Sequence, residues 1–163
     1  MSGAPALLRN AHQRADGLRS RYRAANFWSD RPLDVVRATA ERHPLRPALV
    51  IRGSEVSYTE LDERIDRASQ ALLDAGVGGA TPVVVAVGND IGSVVAVHAV
   101  IRVDAVVLLV PRSAGAVQIA DIIARTGAAH GVAAGWAGID DPVLRTSCRW
   151  IDTTGLQVSS ARG

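Results

Sequence analysis

Two short stretches hold the residue types that could do chemistry. "VGND" (Val87–Asp90) and "VPRSAG" (Val110–Gly115) each follow a run of branched apolar residues and lead into an apolar run of helical period. In an open α/β sheet, ligands sit beyond the carboxyl ends of the strands, so these loops are where a ligand would be met. Asn89 and Asp90 offer an amide and a carboxylate to such a ligand. The plainer reading is that they are the turn and the N-cap the following helix needs. Arg112 and Ser113 stand ahead of a second helix and could take an anion, because helix N-termini favour negative charge. A solvated loop is the plainer reading of that pair.

Other reactive residues are scattered. The histidines (His12, His43, His98, His130) have no metal-ligand spacing, and His98 sits in an apolar run that suits a core or interface histidine. Ser57 and Ser113 have no base close in sequence, although triads assemble in space. Asp140–Asp141 precede Pro142, as a turn or cap would. "GVGGA" follows a helix, whereas a dinucleotide fingerprint needs strand, glycines and then helix. "DTTG" (Asp152–Gly155) resembles a phosphate loop only in composition, since no Gly-Lys-Ser/Thr follows and the chain has no lysine. Cys148 is the single cysteine, which excludes an intrachain disulfide and any multi-cysteine metal site.

The elements that must position these loops are legible from periodicity. Ser29 or Asp30 can cap a helix that carries Leu33, Val36 and Ala40 at helical spacing and stops at Pro44. "ALVI" (Ala48–Ile51), a turn at Arg52–Ser54 and "EVSY" read as a hairpin. Thr59 suits an N-cap with Asp62 at N3, for a helix whose Leu61, Ile65, Ala68, Leu72 and Leu73 share a face and which Gly76 closes. "VVVAV" (Val83–Val87) is a continuous β-branched run of the kind buried on both faces of a sheet. A helix over about Ile91–Arg102 follows, then "AVVLLV" (Ala105–Val110) as a second buried strand ended by Pro111. A helix over Ala116–Arg125 and a weaker strand, "HGVAAG" (His130–Gly135), complete the pattern.

The fold class is therefore α/β. It is a three-layer parallel-sheet subdomain (strand–helix–strand–helix–strand) preceded by a helix and a β-hairpin. The organisation reads as an N-terminal arm over 1–25, the subdomain over 26–135 and an irregular tail over 136–163, with one short strand near Arg149–Ile151.

The chain of 163 residues has 48% hydrophobic and 21% charged residues, as soluble globular domains do. Eighteen positive charges against 16 negative leave a formal charge of +2, and every positive residue is arginine. Arg9, Arg14, Arg19, Arg21 and Arg23 make the arm weakly basic. With only 4% aromatics, however, a solvated helical face explains them better than a nucleic-acid surface. No charge-free run approaches the ~20 residues of a membrane span. No apolar segment with a small-residue cleavage site opens the chain, so a cytoplasmic protein is expected.

The order of segments is familiar. "HPLRPALV", then "VSYTELDERIDRASQALLDAGV", a buried strand, a small helix and "VIRVDAVVLLVP" resemble the N-terminal part of the adenylate-forming (AMP-binding) ligases over about Tyr22–Gly135. That group includes acyl-CoA synthetases, aryl-acid AMP ligases and peptide-synthetase adenylation domains. The last segment usually reads Leu-(Lys/Arg)-Ala-Gly-Ala before its strand and Pro; here Val103 and Asp104 replace the Ala-Gly pair. Upstream, "YRAANFWSDRPL" is most similar to the aryl-acid ligases, including those that activate hydroxybenzoates.

The resemblance implies a two-step reaction with ATP and Mg²⁺. A carboxylate attacks the α-phosphate to give an acyl-adenylate and pyrophosphate, and a thiol of CoA or a carrier protein then takes the acyl group. The family's Ser/Thr/Gly-rich phosphate loop, Thr-Glu motif, ribose-binding Asp and C-terminal-domain Lys map to no residue here. No catalytic, cofactor-binding or metal residue is assigned. The preferred expectation is an N-terminal fragment of such a ligase that is inactive alone, exposes an apolar face and tends to self-associate. The alternative is a free-standing interaction module that complements an intact ligase or a carrier protein. A small, unrelated α/β nucleotide binder is disfavoured by the missing glycine fingerprint.

Overall fold

The computed structural model describes residues 17–25 and 34–153. The chain divides into two compact units, Met1–Val35 and Val36–Gly163. In the first, residues 17–24 form helix α1. The cap expected at Ser29 or Asp30 and the arm before Gly17 lie outside the described residues.

The second unit opens at helix α2 (Val35–Arg42) and the hairpin β1 (Pro47–Ile51) and β2 (Ser54–Ser57). Ile51 pairs with Ser54, leaving a two-residue turn in which Arg52 and Gly53 both have positive φ. That backbone twist matches the right-handed twist of the strands it joins. Then come α3 (Tyr58–Asp74), β3 (Pro82–Val87), α4 (Ile91–Arg102), β4 (Val106–Pro111), α5 (Ala116–Thr126) and β5 (His130–Val132). A short 3₁₀ turn (Ala137–Asp140), α6 (Pro142–Arg145) and β6 (Arg149–Ile151) follow. The main sheet is parallel, in the order β4-β3-β5-β6.

Strand β3 lies between β4 and β5, and its alternating side chains seed two cores. Val83 and Val85 pack with Leu61, Ile65 and Leu72 of α3 and with Ala96, Ala99 and Val100 of α4. Val84 and Ala86 pack on the other face with Ile119 and Ile123 of α5 and Leu144 of α6. This is the three-layer arrangement expected from the unbroken β-branched run.

Helix α3 is capped by Ser57, two residues before Thr59. Ser57 leaves β2 in extended backbone, and its Oγ accepts from Glu60 N at 3.2 Å while Glu60 Oε2 accepts from Ser57 N at 2.8 Å. This reciprocal capping box was readable as Ser-x-x-Glu. Thr59 instead donates its hydroxyl to the Pro44 carbonyl, and Asp62 joins an ion network. At the other end Gly76 N bonds to Leu73 O and Val77 N to Leu72 O, with Gly76 at φ +84°. This Schellman closure needs a left-handed residue, which glycine adopts without a Cβ clash.

Helix α4 closes in the same way where the expected glycine is missing. Asp104 N bonds to Ile101 O and Ala105 N to Val100 O, and Asp104 takes φ +57°. The turn is kept because a short polar residue tolerates the left-handed region better than a bulky one.

Two expectations are corrected. The chain beyond Gly135 is not irregular over its described part. Helix α6 packs Leu144 into the second core, while β6 is the short strand expected near Arg149–Ile151 and lies beside β5. Strand β4 is not buried on both faces. Among the described residues it is an edge strand, with Val106 46% and Leu109 59% exposed. An uninterrupted apolar run looks the same in sequence whether its outer neighbour is present or not.

Candidate functional site: the carboxyl edge of the sheet

The loops singled out from sequence converge at the carboxyl ends of the strands. Asp90 caps α4, its Oδ1 accepting from Ser93 N at 2.8 Å, and Ser93 Oγ accepts from Gly88 N at 2.8 Å. The turn-and-cap reading of this loop therefore holds, and Asn89 is exposed.

Arg112 fills the crevice. Its Nε donates to the Ala86 carbonyl at 3.2 Å, at the end of β3. Its Nη2 donates to the carbonyls of Ala133 and Ala134, both at 3.1 Å, just past β5. Its Nη1 pairs with Asp90 Oδ2. The β3–α4 crossover lies on one face of the sheet and the β5–α6 connection on the other, so the β3/β5 boundary is the topological switch point where an open α/β sheet admits a ligand. Here the chain's own guanidinium occupies it, reaching across from the end of β4. All three guanidinium nitrogens are committed, so Arg112 is a structural clamp and not an anion site. Ser113 stays on the exposed loop.

The surrounding backbone fits the clamp closely. A Cβ on Gly88 would lie 2.9 Å from Asp90 Oδ2 and 3.0 Å from Arg112 Nη1. Ala134 adopts φ +46°, strained for a residue with a Cβ. Gly135 N donates to Asp152 Oδ1 at 3.0 Å, which ties the β5 exit to the β6 exit. The first residue of "DTTG" thus does structural work, while Thr154 and Gly155 lie outside the described residues.

The remaining candidates are explained one by one. Asp141 caps α6 by accepting from Val143 N at 2.8 Å, and Asp140 pairs with Arg145 at 3.4 Å. Cys148 is half-buried beside Trp150 against the second core, and burial pushes its thiol up to about 11. His130 starts β5 with Nδ1 buried and lacking a hydrogen-bond partner. Among the described residues no group of His, Cys, Asp or Glu could hold a metal ion.

Sequence reasoning missed one cluster. Arg102 of α4 reaches Asp62 at 2.6 Å and Asp66 at 2.9 Å on α3, and Arg37 of α2 reaches Asp62 at 3.5 Å and also pairs with Asp66. The Asp66 hydrogen bond holds the Arg37 guanidinium protonated even above its ordinary range. Asp62 and Asp66 are one turn apart on α3, the only local hint. A cavity of about 390 Å³ lies beside them, but the arginines in its wall are already engaged with these carboxylates.

The fold and the edge geometry can now be set beside known proteins. The family model described as AMP-binding enzyme matches residues 36–156. Triostin synthetase I of Streptomyces triostinicus is 33% identical over 127 residues, covering 77% of this chain and 24% of that protein. A salicyl-AMP ligase / salicyl-S-ArCP synthetase of Mycobacterium tuberculosis is 37% identical over 115 residues, covering 65% of this chain and 20% of that protein. The chain thus spans about a quarter or less of these relatives. Among solved structures, O-succinylbenzoate coenzyme A synthetase (MenE) of Bacillus subtilis in complex with AMP superposes with a TM-score of 0.67 at 18% identity, covering 76% of this chain and 32% of that one. Sequence and fold agree with the match over most of the chain: it belongs to the AMP-binding enzyme family, to the N-terminal part of its adenylate-forming ligases.

Proposed function

We propose that this polypeptide supplies the N-terminal scaffold of an adenylate-forming ligase that activates an aryl or amino carboxylic acid with ATP and Mg²⁺ and passes it to a thiol. The similarity to a salicyl-AMP ligase and to a phosphinothricin tripeptide synthetase supports this acid class. By itself the segment is inactive. The observation that carries this is Arg112 in the switch-point crevice: the one place the fold would offer a nucleotide is filled, and with no lysine in the chain no ammonium can meet a phosphate. Preorganised charge on the transferring group is usually the largest single contribution to catalysis of this kind, and the one guanidinium at this crevice is already spent on the protein's own carbonyls and Asp90.

The residues present do three things. They cap α3 and α4, they clamp the ends of β3, β4 and β5 together, and among the described residues they leave the β4 edge open. That open edge also favours a second reading, a module that complements a separate ligase polypeptide in the cytoplasm. ATP–pyrophosphate exchange on the purified chain with salicylate, other aryl acids and amino acids tests the proposal. Background rates are expected, and exchange above background overturns the inactive reading. Restoration of exchange by a polypeptide that carries the family's phosphate loop would support the complementing module.

A further inference from the structure

The crevice that Arg112 fills is lined by acceptors. The guanidinium meets the Ala86 carbonyl at 3.2 Å, the Ala133 and Ala134 carbonyls at 3.1 Å, and the carboxylate of Asp90. Carbonyls and an ionised carboxylate accept hydrogen bonds and donate none. The amides around them are turned elsewhere. Gly88 N bonds to Ser93 Oγ, Ser93 N to Asp90 Oδ1, Gly135 N to Asp152 Oδ1 and Arg112 N to Val87 O. A sheet that receives a phosphate at its switch point offers N–H groups and a helix N-terminus. Here the N-terminus of α4 is closed by the Asp90 carboxylate.

The backbone is shaped to this lining. Along an extended strand successive carbonyls point to opposite sides. Ala134 leaves β5 with φ +46°, and the carbonyls of Ala133 and Ala134 converge on one nitrogen, Nη2. Strain of this kind persists where the surroundings impose it. Glycines allow the close approaches. A Cβ on Gly92 would lie 3.2 Å from the Ala134 carbonyl oxygen, and one on Gly88 3.3 Å from Arg112 Cδ. We infer that the crevice is a guanidinium receptor, closed to phosphate by its lining as well as by its occupant, with Arg112 as its tethered ligand. The inference deepens the reading that Arg112 fills the crevice and rests on it. It adds that the emptied crevice takes a free guanidinium and still refuses a nucleotide. A planar fork reaches several of these oxygens at once, which a point-like ammonium does not.

Arg112→Ala removes the side chain beyond Cβ, and ethylguanidinium replaces the atoms lost. The test is thermal melting of the full 163-residue chain, as parent, Arg112→Ala and Arg112→Met, with ethylguanidinium, ethylammonium, inorganic phosphate or AMP. Ethylguanidinium should raise the melting temperature of Arg112→Ala saturably. At about ten times its dissociation constant the ratio of folded to unfolded chain should rise about elevenfold. The parent, whose crevice is filled, should gain nothing, and Arg112→Met, whose side chain takes up the space, should gain less. Ethylammonium should be weaker, and phosphate and AMP should act on Arg112→Ala no more than on the parent. If Arg112→Ala is unfolded by itself, ethylguanidinium should fold it, read by circular dichroism. No gain from ethylguanidinium in Arg112→Ala, folded or unfolded, would overturn the inference. So would an equal gain in all three chains, or a gain from AMP or phosphate confined to Arg112→Ala. ATP–pyrophosphate exchange on the parent reports separately on the ligase reading, which a failed rescue would leave in place.

Discussion

Arg112 acts by connecting residues that sequence holds far apart. One side chain, 19% exposed, gathers a carboxylate from the α4 cap and carbonyls from the ends of β3 and β5. A guanidinium suits this because its donors form a planar fork, whereas an ammonium is a single point. Arg112→Met should cost about 2–3 kcal/mol, because charged hydrogen bonds are lost and buried carbonyls are left unpaired. Arg112→Lys should recover less than half of the loss. Urea unfolding midpoints measure both, and a midpoint unchanged in Arg112→Met would show that the clamp is not structural.

At the same scale, burial raises the Cys148 thiol from an ordinary 9.0 to about 11. Burial disfavours the thiolate, which is the reactive form. Alkylation by iodoacetamide at pH 8 should be much slower in the native chain than in urea. The sign for stability follows from the folded value lying above the unfolded one. The stabilisation is fully present below about pH 9 and is lost as pH rises through about 11. Unfolding followed from pH 8 to pH 11 should show a loss in the parent that is smaller in Cys148→Ala.

Helix ends decide the next scale. The closures of α3 and α4 have one hydrogen-bond pattern but different residues at the left-handed position, Gly76 and Asp104. A Cβ in that region costs roughly 1–2 kcal/mol, partly offset by the greater freedom of glycine when unfolded. Asp104→Gly should therefore raise the unfolding free energy by about 0.5–1 kcal/mol, while Gly76→Ala should lower it by a similar amount. Thermal melts of the two variants test the contrast, and a destabilised Asp104→Gly would mean that its carboxylate holds the turn in some other way. The same turn carries a tertiary load, since Gly79 N and Ala80 N bond to the carbonyls of Val103 and Asp104.

In the second unit, protection should be graded from β3 outward. Val84 and Val85 lie under both helical layers and bond to strands on both sides, so their amides should exchange only on global opening. The Val107 and Leu109 amides face away from β3. In dilute solution they should exchange within seconds. Hydrogen exchange read at single amides checks this, and slow exchange at both positions in a monomer would mean that another part of the chain already covers the edge.

The sequence by itself determined what depends on neighbours along the chain. The hairpin turn at Arg52–Gly53, the apolar stripe of α3, the closure at Gly76 and the alternation of strand and helix from Val83 to Val132 are all written in local spacing. The capping box at Ser57–Glu60 was equally local and was misplaced by two residues only because Thr59 and Asp62 offered a competing match. The resemblance to adenylate-forming ligases was carried by that same segment order. Tertiary structure alone decided the rest. Whether an apolar run such as Val106–Val110 is central or at an edge depends on which strands reach it from elsewhere in the chain. Whether Arg112 binds a ligand or the protein's own carbonyls depends on bringing together Ala86, Asp90, Ala133 and Ala134. Local propensity acts over a turn or a strand, whereas sheet order and crevice occupancy are set by long-range packing, which no window of sequence contains.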